Sequence, residues 1–190
     1  GDPPLSLVEI ERHFRRIAAD PRPYGVILYL RGTQMPLADL QTLRDSILRL
    51  RARGKRVICY DKVYSLANYY LASAADQIIM QPGGMLMTLG LRQETAFLKD
   101  ALDTIGIEFE AVAISPYKGA ADSVTRTDIS PEGREQLEWL LDSRYDMLID
   151  GIAEGRSMSR DDVTALVDNA PHLDRAAAEA GYVDALVNEE

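Results

Sequence analysis

The chain is poor in the residues that most often announce chemistry. Among 190 residues there is one cysteine and there are two histidines. A single thiol cannot form an internal disulfide, and it leaves the redox compartment unread. Within Arg56-Val57-Ile58-Cys59-Tyr60 the cysteine reads as a small core residue. His13 and His172 lie far apart with no ligand pattern beside either. That spacing speaks against a metal centre and against a Ser-His-Asp triad, and it leaves His13 as a surface residue of the first helix. No apolar run approaches 18 residues, so no bilayer-spanning helix is expected. The start, Gly1-Asp2-Pro3-Pro4, is polar and lacks the apolar core of a signal peptide. A first residue other than Met makes a processed or excised piece of a longer parent protein the expectation. Internal repeats, low-complexity stretches and linkers are also missing, which makes a single domain over residues 1–190 the simplest reading.

Positive charge is scarce as well. Lysine and arginine total 21 against 30 acidic residues, a net charge of −9. Phosphate backbones need a basic face, so a nucleic-acid partner is not expected. Arg44, Arg49, Arg51, Arg53, Lys55 and Arg56 nevertheless bunch together. They read either as a docking patch for an anion or, more simply, as a solvated helix face whose cations complement the helix C-terminus.

What is present alternates regularly. Ser6-Leu7-Val8-Glu9 has the form of a capping box, followed by Leu7, Ile10, Phe14 and Ile17 at helical spacing up to Asp20-Pro21. Tyr24 to Leu30 is an apolar run of strand length. Leu37, Leu40, Leu43, Ile47 and Leu50 mark a second helix that stops at Gly54, and Arg56 to Tyr60 marks a second strand. The pattern then predicts a helix over 66–76, a short strand over 77–80, a turn at Gln81-Pro82-Gly83-Gly84 and a helix over 95–105. An alternating strand is expected over 108–114 and a long helix from Ser130-Pro131-Glu132, with Leu137, Leu140, Leu141, Tyr145, Leu148 and Ile152 on one face. A helix capped by Ser159 and a short one over 176–180 close the chain. Helices alternating with buried strands are the signature of an α/β fold, a mostly parallel sheet flanked by helices.

Five segments, in order, carry a resemblance. They are Tyr24 to Leu30; Lys55 to Tyr60; Tyr69-Tyr70-Leu71-Ala72-Ser73-Ala74-Ala75-Asp76-Gln77-Ile78; Ser115-Pro116-Tyr117-Lys118-Gly119-Ala120 with Ser130-Pro131-Glu132-Gly133-Arg134; and Ala177, Gly181, Val183, Asp184 and Leu186. Together they resemble the signal peptide peptidase A family of serine–lysine peptidases, over nearly the whole chain. The resemblance implies a crotonase-like fold, the broad fold of the Clp protease proteolytic subunit. It also implies hydrolysis of residual signal peptides without a cofactor, a membrane-associated parent with its catalytic part on the outer face of the cytoplasmic membrane, and a homo-oligomer.

One departure from the family pattern decides the reading. The family's nucleophile lies in a "S-G-G-Y-Y" turn, and here that stretch is Leu66-Ala67-Asn68-Tyr69-Tyr70. Leu66 has no heteroatom to attack a carbonyl, and both turn glycines are replaced. The long form of the family carries its lysine in the first half and its serine in the second, so this chain resembles the first half, with Lys118 as the catalytic residue. A serine is a weak nucleophile until a base takes its proton. Lysine can be that base only when neutral, and bringing its pKa from about 10.4 to about 7 takes about 4.6 kcal/mol. Desolvation can supply this for lysine, whereas a guanidinium keeps its proton. Apolar Val112, Ala113 and Ile114 precede Lys118, and no acid follows it before Asp122.

Ser65 adjoins the empty position. One helical residue turns the chain by about 100°, which aims its hydroxyl elsewhere, and serine there reads best as the N-cap of the following helix. Ser73 reads as a mid-helix packing residue. Gly32-Thr33 and Ala67 are the candidate oxyanion donors, and Gly83-Gly84 with Met85-Leu86-Met87 the candidate border of a substrate groove. Three functions follow from these residues. The first is a split-site peptidase whose partner is a second domain or subunit bearing the serine, with a peptide as substrate. The second is a self-contained peptidase using Ser65 and Lys118. The third is a non-catalytic scaffold of crotonase-like fold. A coenzyme A enzyme is little supported, since no glycine-lined acyl pocket is evident.

Overall fold

The computed structural model describes residues 6–31, 35–111, 115, 117 and 119–189. The chain divides into two compact units, one of Gly1–Gly90 with Met147–Glu190, the other of Leu91–Asp146.

The first unit is built on a sheet. Strands β1 (Gly25–Tyr29), β2 (Arg56–Ser65) and β3 (Gln77–Met87) run parallel in that order. On the far edge of β3 sit β5 (Ala185–Leu186), parallel, and β4 (His172–Leu173), antiparallel. Parallel strands need crossovers, and helices α2 (Leu37–Ala52) and α3 (Leu66–Ala72) supply them. Helix α1 (Leu7–Ala19) opens with the expected capping box: Ser6 accepts from the Glu9 amide while Glu9 accepts from the Ser6 amide. Helix α2 stops where the sequence placed a glycine: Gly54 sits at φ +76°, a conformation that favours glycine. The core is the fully buried set Ile47, Leu50, Val57, Cys59, Tyr64, Tyr69, Leu71, Ile78, Met80, Leu86, Ile149, Ile152 and Leu166. At roughly 1.5–3 kcal/mol for each fully buried large apolar side chain, this layer drives the fold of the unit.

Three elements of the first unit differ in extent from the sequence expectation. Strand β2 continues five residues past Tyr60 to Ser65. Strand β3 does not end at the Gln81–Gly84 turn. Its register on β2 passes from Asp61↔Met80 to Val63↔Met85, so four residues bulge out opposite Lys62 and the strand then resumes. Proline and glycine mark an irregular backbone correctly there, but β2 recaptures the strand beyond it. Helix α3 stops at Ala72 rather than 76, because Asp76 serves β2: its Oδ2 accepts from the Val57 amide at 2.8 Å and its Oδ1 from Arg51 Nε at 2.7 Å.

The second unit contains α4 (Lys99–Thr104), α5 (Asp122–Thr125) and the first part of α6 (Pro131–Arg156), whose remainder belongs to the first unit. Ser130 accepts from the Gly133 amide at 3.1 Å, the expected start of α6. The Leu98 amide donates to Ser123 O at 2.7 Å, tying α4 to α5. Residues 108–111 form no strand, and 112–114 lie outside the described residues. Few apolar side chains find cover here: Leu98, Ile105, Phe109 and Trp139 are each more than half exposed. Of the expected apolar face of α6, only Leu148 and Ile152, both in the first unit, are buried. Helices α7 (Arg160–Asp168) and α8 (Asp174–Glu179) complete the first unit, α7 with a Ser159–Asp162 capping box. Among the described residues no helix is long and apolar enough to cross a membrane.

Candidate functional site

The carboxyl ends of adjacent parallel strands are where open α/β sheets take ligands. Here the ends of β1, β2 and β3 frame a cleft of 680 Å³. Arg31 contributes from beyond β1, Asp61, Lys62, Val63 and Ser65 from β2, Leu66, Ala67 and Asn68 from α3, and Met87 and Leu89 from the end of β3. All belong to the first unit.

Local chemistry places each of them. Ser65 ends β2 and caps α3, its hydroxyl accepting from the Asn68 amide at 3.2 Å. Leu66 is therefore the first residue of α3 and is buried, at 4% exposure. A leucine so placed fills the wall of the cleft and offers nothing to a carbonyl. Asn68 Nδ2 donates to Leu30 O at 3.3 Å, fastening the start of α3 to the end of β1. Asp61 shapes the bulge: its Oδ1 accepts from the amides of Lys62 at 2.7 Å and Val63 at 3.4 Å. Asp61 and Asn68 are 6% and 4% exposed, yet among the described residues Asp61 Oδ2 and Asn68 Oδ1 find no hydrogen-bond partner. Buried polar atoms are nearly always paired, so two such oxygens in one cleft are unusual. The sequence held no signal for them: Asp61 reads as an ordinary strand residue and Asn68 only as a replaced glycine.

Of the residues singled out from sequence, Ser65, Leu66, Ala67 and Met87 meet in this cleft, while Leu86 is buried in the core. Lys118, Gly32 and Thr33 lie outside the described residues. Ser73 is not a mid-helix residue. It caps the C-terminus of α3, donates to Tyr70 O at 2.8 Å and accepts from buried Arg44 at 2.7 Å.

That arginine corrects the solvated-face reading of the basic cluster. Arg44 also donates to Tyr70 O and Gly151 O, Arg51 to Ala74 O, and Lys55 Nζ to Asp20 O and Pro23 O. Arg44 and Lys55 are buried fastenings, while Arg49, Arg51, Arg53 and Arg56 stay exposed. Burial also pushes the Cys59 thiol up to about 12, which makes it inert near neutrality. Among the described residues no cluster of His, Cys, Asp and Glu could hold a metal ion.

The shared segments serve as joints of the fold. Tyr69 donates to Tyr182 O at 2.7 Å, and Asp184 accepts from the Ile78 amide at 2.6 Å and from both Arg156 terminal nitrogens. These bonds lock α3, β3 and the chain's end together.

Comparison with known proteins matches this arrangement. The profile of peptidase family S49 matches residues 49–190. The chain is 30% identical over 179 residues to the chloroplastic serine protease SPPA of Arabidopsis thaliana, covering 94% of this chain and 26% of that protein. It is 29% identical over 160 residues to Protease 4 of Haemophilus influenzae, covering 83% and 26%. The chain thus spans about a quarter of the length of these relatives. Among solved structures, ClpP1 from Listeria monocytogenes superposes with a TM-score of 0.58 at 12% identity, over 97% of this chain and 85% of that one. An enoyl-CoA hydratase/isomerase family protein from Silicibacter pomeroyi gives 0.50 at 12% identity, over 96% and 64%. The fold is the α/β ClpP/crotonase-like fold.

Proposed function

Because this chain belongs to peptidase family S49, we propose that it is the lysine-bearing half of a serine–lysine signal peptide peptidase. In this reading Lys118 is the general base, and the nucleophilic serine comes from a second domain or a neighbouring subunit. The observation that carries the reading is Leu66. At the position where the resemblance expects the nucleophile, the first residue of α3, stands a buried hydrocarbon. The adjacent hydroxyl of Ser65 is engaged as a cap. A hydroxyl must therefore come from elsewhere if the family's acyl chemistry is to occur, and the base alone is this chain's contribution.

Two further features support a partner. The chain spans about a quarter of its relatives' length, which leaves room for a second domain. Leu98, Ile105, Phe109 and Trp139 expose apolar surface in the unit that contains residue 118, as expected of a face that a second domain or copy covers. The reaction is hydrolysis of a peptide bond in residual signal peptides, at the outer face of a membrane to which the parent is attached.

The test uses the full-length parent. Lys118→Met is expected to lower peptide turnover by about 10²- to 10⁴-fold, the usual weight of a positioned base. The 190-residue chain alone is expected to show no turnover. Full turnover in Lys118→Met parent enzyme would leave the scaffold reading. Labelling of Ser65 in the isolated chain by a fluorophosphonate would instead favour a self-contained site.

A further inference from the structure

We propose that the cleft at the carboxyl ends of β1, β2 and β3 holds, without cutting it, the basic end of a peptide. Asp61 and Asn68 receive a lysine or arginine head, while Val63, Leu66, Met87 and Leu89 lie along its stem. The argument begins with unmet chemistry. Asp61 is 6% exposed and makes no ion pair among the described residues, and its Oδ2 is without a donor. Asn68, 4% exposed, leaves its Oδ1 in the same condition. Both unsatisfied atoms are acceptors, so the complementary ligand is rich in N–H donors and, facing a carboxylate, cationic.

The rest of the cleft selects among cations. Its remaining walls are mostly aliphatic, and Val63, Met87 and Leu89 are substantially exposed. Apolar walls beside two residues with buried, unpaired acceptors match a side chain with a hydrocarbon stem and a donor head, which describes lysine and arginine and no small inorganic cation. The rim adds little opposition. Arg31 is paired with Glu189, which leaves Lys62 as the opposing charge, exposed to solvent and screened by salt. The cleft lies at the strand ends and is open, so the peptide bearing the side chain can run past it in extended form.

A basic residue beside an apolar stretch is the peptide chemistry this cleft takes, and the cleft where the nucleophile is missing becomes an anchor for a peptide cut elsewhere in the assembly. That the anchored peptide is cut rests on the function proposed above. The binding chemistry does not.

The experiment is fluorescence anisotropy on the 190-residue chain. The probe is a labelled peptide with one arginine beside a leucine–alanine stretch, and its counterpart carries citrulline in place of the arginine. Wild type is expected to bind the arginine peptide about tenfold or more tightly, the usual worth of a charge-assisted hydrogen bond. Asp61→Asn is expected to lose the difference. Equal affinity for the two peptides, or an Asp61→Asn variant that still discriminates, overturns the proposal. Asp61 also shapes the bulge, so Val63→Arg provides a second route: it sets a competing cation at an exposed strand end, and arginine preference that survives it also overturns the proposal. In the parent enzyme, Lys118→Met is expected to lower hydrolysis by the same about 10²- to 10⁴-fold and keep arginine-dependent binding. Loss of binding preference with hydrolysis still lysine-dependent defeats the anchor alone. Preference retained with hydrolysis lysine-independent defeats the split site alone.

Discussion

The hydroxyl of Ser65 accepts the backbone N–H of Asn68 at 3.2 Å, closing the first turn of α3 beside the leucine that fills the nucleophile position. The bond marks Ser65 as a cap, and a cap has a measurable weight. Ser65→Ala is expected to destabilise the chain by about 1 kcal/mol, and Ser65→Asp, which preserves an acceptor, by much less. Urea denaturation of both variants checks this. If the two lose stability equally, the cap is not what holds serine there.

Arg44 supports a stronger prediction. It is buried at 4% exposure and donates to Tyr70 O, Ser73 Oγ and Gly151 O, with its guanidinium 4.8 Å from the centre of the Tyr70 ring. Burial holds its pKa below the usual arginine value, and the acceptors around it keep a charge there tolerable. Arg44→Met takes a donor from three buried acceptors and leaves Tyr70 O and Gly151 O to share the Ser73 hydroxyl, and it is expected to cost about 2–4 kcal/mol. Arg44→Lys is expected to recover only part of this, because one ammonium cannot reproduce a planar fork reaching α3 and α6 at once. A lysine variant as stable as wild type would show that charge, not geometry, is what matters.

The same contrast explains what was legible in the sequence. The order of helices and strands up to β3, and the starts of α6 and α7, followed from periodicity and caps, because Ser6, Ser130 and Ser159 act on their own first turns and Gly54 on its own backbone. Such local chemistry is printed in the sequence. The continuation of β3 through Pro82-Gly83-Gly84 was not, because it depends on β2 recapturing the strand at Met85. Nor were β4 and β5, two residues each, which exist only as additions to the edge of β3. The cleft shows the same division. Leu66 was legible as a missing nucleophile through the resemblance, while the burial of the Asp61 and Asn68 oxygens without a partner among the described residues is set by the three-dimensional packing of β1, β2 and α3.

The bulge of β3 makes a final prediction, about pH. Asp174, at the start of α8, accepts from the Gly83 amide at 2.7 Å and from the Arg175 amide at 2.8 Å. The bond from Gly83, first, and then that from Arg175 hold its carboxyl below the usual value. Both bonds favour the charged form, so the native state binds this proton less readily than the unfolded chain does. The stabilisation is therefore complete above the unfolded carboxylate pKa of about 3.9 and fades as pH falls through the lower native value. Asp174→Ala is expected to melt below wild type at pH 7, by a margin that stays constant down to about pH 5 and narrows below about pH 4. Thermal melts of the two proteins across pH 7 to 2 measure that margin. A gap of constant width over the whole range would mean that the carboxylate's charge contributes nothing, and that Gly83 is held by the shape of the bulge alone.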